Sequence, residues 1–365
     1  MDKFLPSQNP PGNMKVEKTP LFIAIGFDDN DKSGFTSHKG IEGMKWAVDT
    51  FMNRKNPDGS NCSCAFYNLS RYITEEESRE LPHFVKKSWK YAADNGFEIC
   101  CHTHNHHDGS KFTVDEWLIE MNKCVDILTK PYVEGCNSDD TGIGIAKSDI
   151  KAFRAPYLAY NDNMLKAVEK MGFLYDSSIQ EGFQEDHDGT NYYFPYTLDE
   201  GSPGNKAVRI NDPGIDEIGN HQGIWEMPVQ AIIVPPDDLC EKYGVEKGLR
   251  KKFASEQYYF SESDGKICGL DYNCLADFQM TADELLATLK YTLDLRLKGN
   301  RAPFIFGAHT AIYALEYESD PTIKISEQER RRAIEEFLDY ALSKSEVYIV
   351  SPIKVIEWMK NPKEL

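Results

Sequence analysis

Short runs rich in β-branched and aromatic residues alternate with helix-patterned stretches along this 365-residue chain, and that alternation constrains its fold more than any other feature. Strands separated by crossover helices pair in parallel, because a parallel neighbour needs a connection long enough to return along the sheet. The candidate strands are residues 21–27, 64–68, 98–102, 152–154, 174–176, 224–228, 303–308 and 347–350. Helix-like stretches cover 40–53, 75–95, 113–130, 161–172, 281–299 and 326–343. Thr113 with Glu116 and Thr281 with Glu284 read as capping boxes, and Gly172 and Gly299 stand where C-terminal caps belong. This pattern predicts an α/β fold, a (β/α) barrel, and one such barrel can reach this length. Two stretches break the alternation, at about 180–223 and 235–280, and read as long loop insertions that shape a groove. The expected organisation is an extension over 1–19 followed by a single catalytic domain over 20–362.

Charge narrows the partner. A formal net charge of −18 disfavours nucleic acid and anionic lipid, which are held chiefly by Lys and Arg. The longest apolar run, 21–27, is far shorter than the ~20 residues that cross a bilayer. No secretory leader is visible in the first twenty residues, whereas nine cysteines lean towards an oxidising compartment. These point to a secreted or extracytoplasmic location with the leader removed, with the cytoplasm as the alternative. Oligomeric state is not legible.

The unusual residues fall at the C-terminal ends of the predicted strands, where barrel enzymes assemble their sites. Asp28 and Asp29 follow the first strand; alone, adjacent acids after an apolar run are as easily a solvated turn. Four of the nine histidines crowd into His102, His104, His106 and His107. Neutral imidazole is the commonest metal ligand, and a spacing of four places His102 and His106 on one face of a helical turn. With Asp29 they form a three-ligand set that leaves positions open for water and substrate. Zinc is the expected ion, and cobalt or nickel could use the same ligands. His104 and His107 need not face it.

These residues resemble the polysaccharide deacetylases of the NodB homology group, carbohydrate esterase family 4. The family's Thr-Phe-Asp-Asp-Gly, His-Ser/Thr-x-x-His and Arg-x-Pro-Tyr motifs are matched by residues 26–30, 102–106 and 154–157. An Asp and a late-strand His follow in the family, for which Asp176 and His309 are the candidates. The segment from Arg330 to Trp358 is similar to chitin deacetylases in particular.

The resemblance implies a distorted barrel of the NodB type and hydrolysis of acetyl groups from an N-acetylated, chitin-like or peptidoglycan-like glycan. Asp29, His102 and His106 would hold the metal, and Asp28 would be the general base, oriented by Arg154. His309 would be the general acid, its pKa supported by a carboxylate such as Asp176. Tyr157 would bind substrate through its backbone N–H, and Trp225 is a candidate for stacking on a sugar ring, against the default of core packing.

Three departures from the family pattern stand out. Asn30 replaces a Gly. Gly307 replaces a Leu that lines the acetyl pocket. The aromatic expected soon after Asp176 is absent at the usual spacing, with Phe183 nearest. The alternatives are O-deacetylation of acetylated xylan and a non-catalytic carbohydrate-binding relative. No Gly-x-Ser-x-Gly elbow or phosphate-binding loop is present.

Overall fold

The computed structural model describes residues 3–36, 42–74, 80–315 and 321–365. All eight expected strands form, as β1 (Leu21–Asp29), β2 (Ala65–Asn68), β3 (Glu98–Cys101), β4 (Ala152–Phe153), β5 (Tyr175–Asp176), β8 (Trp225–Glu226), β11 (Phe304–His309) and β12 (Val347–Ile349). Four more lie among them: β6 (Gln180–Glu181), β7 (Tyr196–Thr197), β9 (Val229–Ile233) and β10 (Lys266–Cys268). The main sheet runs β11-β1-β2-β3-β4-β5-β8-β7, parallel except where β7 meets β8. β12 pairs with the first three residues of β1, on the edge that β2 takes further along. A second sheet, β10-β9-β6, stands between the two ends of this curled sheet and is tied to β11 by a bridge from Leu270 to Gly307. The result is a (β/α) barrel, as the alternation predicts, and a distorted one, as the resemblance implies.

The helices are α1 (Gly43–Met52), α2 (Pro82–Asp94), α3 (Val114–Thr129), α4 (Asp162–Met171), α5 (Pro203–Asn211), α6 (Asp237–Cys240), α7 (Leu249–Glu256), α8 (Ala282–Lys298), α9 (Glu327–Leu342) and α10 (Pro352–Lys360). The starts expected at residues 40 and 75 lie outside the described residues. Both anticipated capping boxes form, and Ser326 with Glu329 makes a third on α9. Each such cap is worth about 1 kcal/mol. Gly172 adopts the left-handed cap conformation (φ 75°). Gly299 does not (φ −92°); it is glycine because a Cβ there would lie 1.9 Å from the Thr190 carbonyl oxygen.

Alternation along β1 divides the core. Leu21, Ile23, Ile25 and Phe27 face outward onto helices, whereas Phe22 and Ala24 point into the barrel with Tyr67, Cys100, Tyr175 and Trp225. Val355, Ile356 and Met359 of α10 join that inner core. The first described residues also pack here: Thr197 N–H donates to the Phe4 carbonyl (2.7 Å), and the Phe4 ring lies 4.6 Å from that of Trp225. All nine cysteines are unpaired and seven are buried, behaving as small apolar residues, so the lean towards secretion gains nothing from disulfides.

Candidate active site

β1 and β11 each run past their expected ends, and the site begins where they finish. Their parallel register pairs Asp28 with His309. Because residues two apart share a strand face, both point the way of Ala24 and Ile305, into the mouth of the barrel.

Asp28 is fixed from β4. Arg154 Nη1 donates to Asp28 Oδ1 at 2.8 Å, while Nε and Nη2 donate to the Ser177 carbonyl (2.9 Å) and hydroxyl (2.8 Å). The guanidinium lies 4.1 Å from the Tyr67 ring centroid and is fully buried. Burial alone would lower its pKa, but the Asp28 carboxylate more than offsets that and holds it above its ordinary value. Room for this stack exists because residue 26 is glycine: a Cβ there would lie 2.6 Å from Tyr67 Cε2 and 3.1 Å from Arg154.

Asp29, His102 and His106 present ligand atoms that all lie within 4.8 Å of one another. His102 Nε2 is 3.7 Å and His106 Nε2 3.3 Å from Asp29 Oδ1. His102 Nδ1–H donates to the Arg154 carbonyl at 2.8 Å, which turns the Nε2 lone pair towards the cluster. Burial pushes the His106 pKa down to about 4 against the pull of Asp29, leaving the imidazole in its neutral, ligating form. Two imidazoles and a carboxylate fit a divalent cation of the zinc type.

The route to this geometry differs from the expected helical turn. His102 directly follows β3 and opens an irregular stretch, with Thr103 (φ 70°) and His106 (φ 58°) in the left-handed region. The Glu120 carboxylate on α3 clamps that loop by accepting from His104 N–H (3.1 Å) and from the Asn105 N–H (2.8 Å) and Nδ2 (2.7 Å). His104 is buried and bonded to Ser70 (2.8 Å), and His107 is exposed; neither joins the cluster. Of ten non-glycine residues with positive φ among the described residues, six belong to this site: Asp29, Asn30, Thr103, His106, Tyr157 and Leu158. Such strain concentrates where function over-determines the backbone. Asn30, in place of the family's glycine, keeps the left-handed φ (65°) and bonds to Asn68 (2.8 Å) and Thr310 (3.0 Å), tying the ends of β1, β2 and β11 together.

The carboxylate partnering His309 is not Asp176. It is Asp271, whose Oδ1 accepts from His309 Nδ1–H at 2.7 Å and whose Oδ2 accepts from the His309 backbone N–H at 2.9 Å. Burial pushes this imidazole's pKa down, but the charge and hydrogen bond of Asp271 outweigh it and raise the pKa to about 9. Asp176 lies across the barrel at the end of β5, in register with Glu226 of β8, and accepts from Ser178 Oγ (2.7 Å). Burial raises its pKa to about 6. Ser178 Oγ in turn accepts from Ala155 N–H (2.8 Å), so Asp176 braces the backbone next to Arg154.

The cleft above these groups has a volume of about 570 Å³. Tyr157, 70% exposed, forms one rim with its ring 4.5 Å from that of His106, and Tyr272 forms the other, 6.3 Å from His309. Trp225 does not reach this cleft: only 2% exposed, it packs inside the barrel against Phe4 and Tyr175, because its place on β8 points it inward below the mouth. Phe183 also packs against the inner core. Leu270, Asp271 and Tyr272, all from the second insertion, were not anticipated; an apolar–acid–aromatic triplet behind Gly269 was their only trace in the sequence.

Residues 17–175 match the family model described as Polysaccharide deacetylase. The chain is 23% identical over 360 residues to Chitin deacetylase 1 of Bombyx mori, covering 97% of this chain and 53% of that protein. It is 21% identical over 360 residues to Chitin deacetylase 8 of the same organism, covering 98% of this chain and 74% of that one. The chain thus spans about half the length of the first of these relatives. A crystal structure assigned as a polysaccharide deacetylase from Mycobacterium smegmatis superposes with a TM-score of 0.52 at 15% identity, covering 98% and 95% of the two chains, and shares the fold.

Proposed function

We propose, for a chain whose residues 17–175 match the family model described as Polysaccharide deacetylase, that it removes acetyl groups from an N-acetylated glycan, chitin-like or peptidoglycan-like, and releases acetate. The observation that carries this reading is the register pairing of Asp28 with His309, each held by a buried partner of opposite charge, beside the Asp29, His102 and His106 cluster.

Those three residues would hold a divalent cation, most readily zinc. When bound it supplies Lewis acidity that activates water and polarises the acyl carbonyl. The remaining work belongs to the chain. Asp28 accepts a proton from the attacking water, and Arg154 holds its carboxylate in one orientation. The water oxygen bonds to the carbonyl carbon, and the Tyr157 backbone N–H stabilises charge developing on the carbonyl oxygen. His309 donates its Nε2 proton to the leaving nitrogen as the carbon–nitrogen bond breaks, and Asp271 steadies the imidazolium through Nδ1. The products are acetate and a free amine.

The reading takes residues 20–362 as one catalytic domain and places its work outside the cytoplasm, where such polymers are laid down. Among the described residues, no helix is long and apolar enough to cross a membrane. Acetate release should be followed on N-acetylglucosamine oligomers and acetylated xylan in parallel. Faster release from the oligomers is expected; release from xylan alone would replace amide with ester hydrolysis, and release from neither would leave a carbohydrate-binding relative.

A further inference from the structure

The floor of the cleft is a gap in both flanking strands. Gly26 and Gly307 are register partners two residues before Asp28 and His309, so they lie directly beneath that pair and on the same face. Neither offers a side chain. Tyr67 and Arg154 fill the space over Gly26. Over Gly307 the space is taken by Leu270: a Cβ on residue 307 would lie 2.1 Å from Leu270 Cδ2 and 3.3 Å from its Cγ. The main chain seats it there, since Gly307 N–H donates to the Gly269 carbonyl at 2.8 Å and residues 270 and 307 form a bridge. The next residue, Asp271, grips His309 twice. Leu270 lines the same cleft as Asp28, Asp29 and His309.

We propose that Leu270 is the apolar wall against which the acyl group of the substrate rests, that it sets the largest acyl chain accepted, and that Gly307 is the gap that admits it. The inference rests on the deacetylase reading. A carbonyl carbon attacked between Asp28 and His309 carries its oxygen, its leaving nitrogen and an alkyl group. The alkyl group alone seeks apolar contact; the cleft offers Ala155, Leu158 and Ala311 besides Leu270, and its two tyrosines stand at the rims. Leu270 is the branched aliphatic beneath the pair, brought there by an insertion because the strand supplies glycine.

The test uses the full chain and glucosamine oligomers carrying N-formyl, N-acetyl, N-propionyl or N-butyryl groups, with released amine measured. Native protein should prefer acetyl, and Leu270→Ala should raise the propionyl-to-acetyl ratio of kcat/KM about fourfold, the worth of the one extra methylene seated on apolar surface. Leu270→Phe should move the preference towards formyl and carries the test if the Ala variant fails to fold. A contact readout independent of turnover comes from melting curves: Gly307→Ala should lower the Tm, and adding Leu270→Ala should restore part of the loss. If native protein cleaves acetyl while Leu270→Ala and Leu270→Phe keep its acyl ratios within twofold, or if Gly307→Ala melts like the native chain, the proposal is overturned and the deacetylase reading stands. If native protein cleaves none of the four, both fall.

Discussion

Asp28→Asn should lower kcat for acetate release by about 10²- to 10⁴-fold, the range that a positioned general base contributes, while the protein still binds one metal ion per chain. The amide keeps the shape of the carboxylate, and its oxygen can still accept from Arg154 Nη1, so the geometry at the end of β1 should survive. What disappears is the capacity to take a proton. The substitution also leaves the buried Arg154 guanidinium without its counter-charge, and breaking such a pair costs about 3–5 kcal/mol. The variant should therefore melt earlier, and kcat should be referred to the folded fraction. Activity within twofold of native, with metal bound, would remove Asp28 from the chemistry.

Asp271→Asn should move the alkaline limb of the pH profile. His309 must be protonated to donate to the leaving nitrogen, and its pKa near 9 means that kcat/KM should fall as pH rises through about 9. Asp28 and Asp29 contribute smaller upward pulls, and a cation at Asp29 offsets part of them without touching the larger contribution of Asp271. With Asn at 271 the charge is gone while the burial that lowers the pKa remains, so the imidazole should titrate below its ordinary 6.5. The descending limb then moves to the acid side of neutral, with a loss of about 10²-fold or more at pH 8. A profile of kcat/KM from pH 5 to 10 reads this directly. An unshifted limb would show that Asp271 positions the ring without setting its charge.

Much of the barrel was legible because its signals are local. Eight strands and the capped helices announce themselves through alternation, caps and breakers within a dozen residues, and the ends of β1, β3 and β4 carry chemistry-bearing residues in fixed order. The insertions were not legible as structure. β6, β7 and β10 are two or three residues long and are held by sheet neighbours far away in sequence, so no period marks them. The same cause hid Asp271. It reaches His309 across 38 residues from a stretch patterned like a loop, whereas Asp176 sat at a strand end and drew the role by position. Trp225 shows the reverse case: its identity suggested sugar stacking, but its face on β8 decided for the core. His102 and His106 come together through left-handed turns that a spacing of four cannot distinguish from a helix.

Deacetylation by this chain should require a divalent cation held by Asp29, His102 and His106. The most direct measurement strips the protein with a chelator, titrates zinc back, and follows bound metal and acetate release from N-acetylglucosamine oligomers together, with His102→Ala alongside. Stripped protein should be inactive, activity should return in step with one equivalent of zinc, and His102→Ala should recover neither. Full activity in stripped protein, or a His102→Ala protein that is metal-free and fully active, would contradict that requirement.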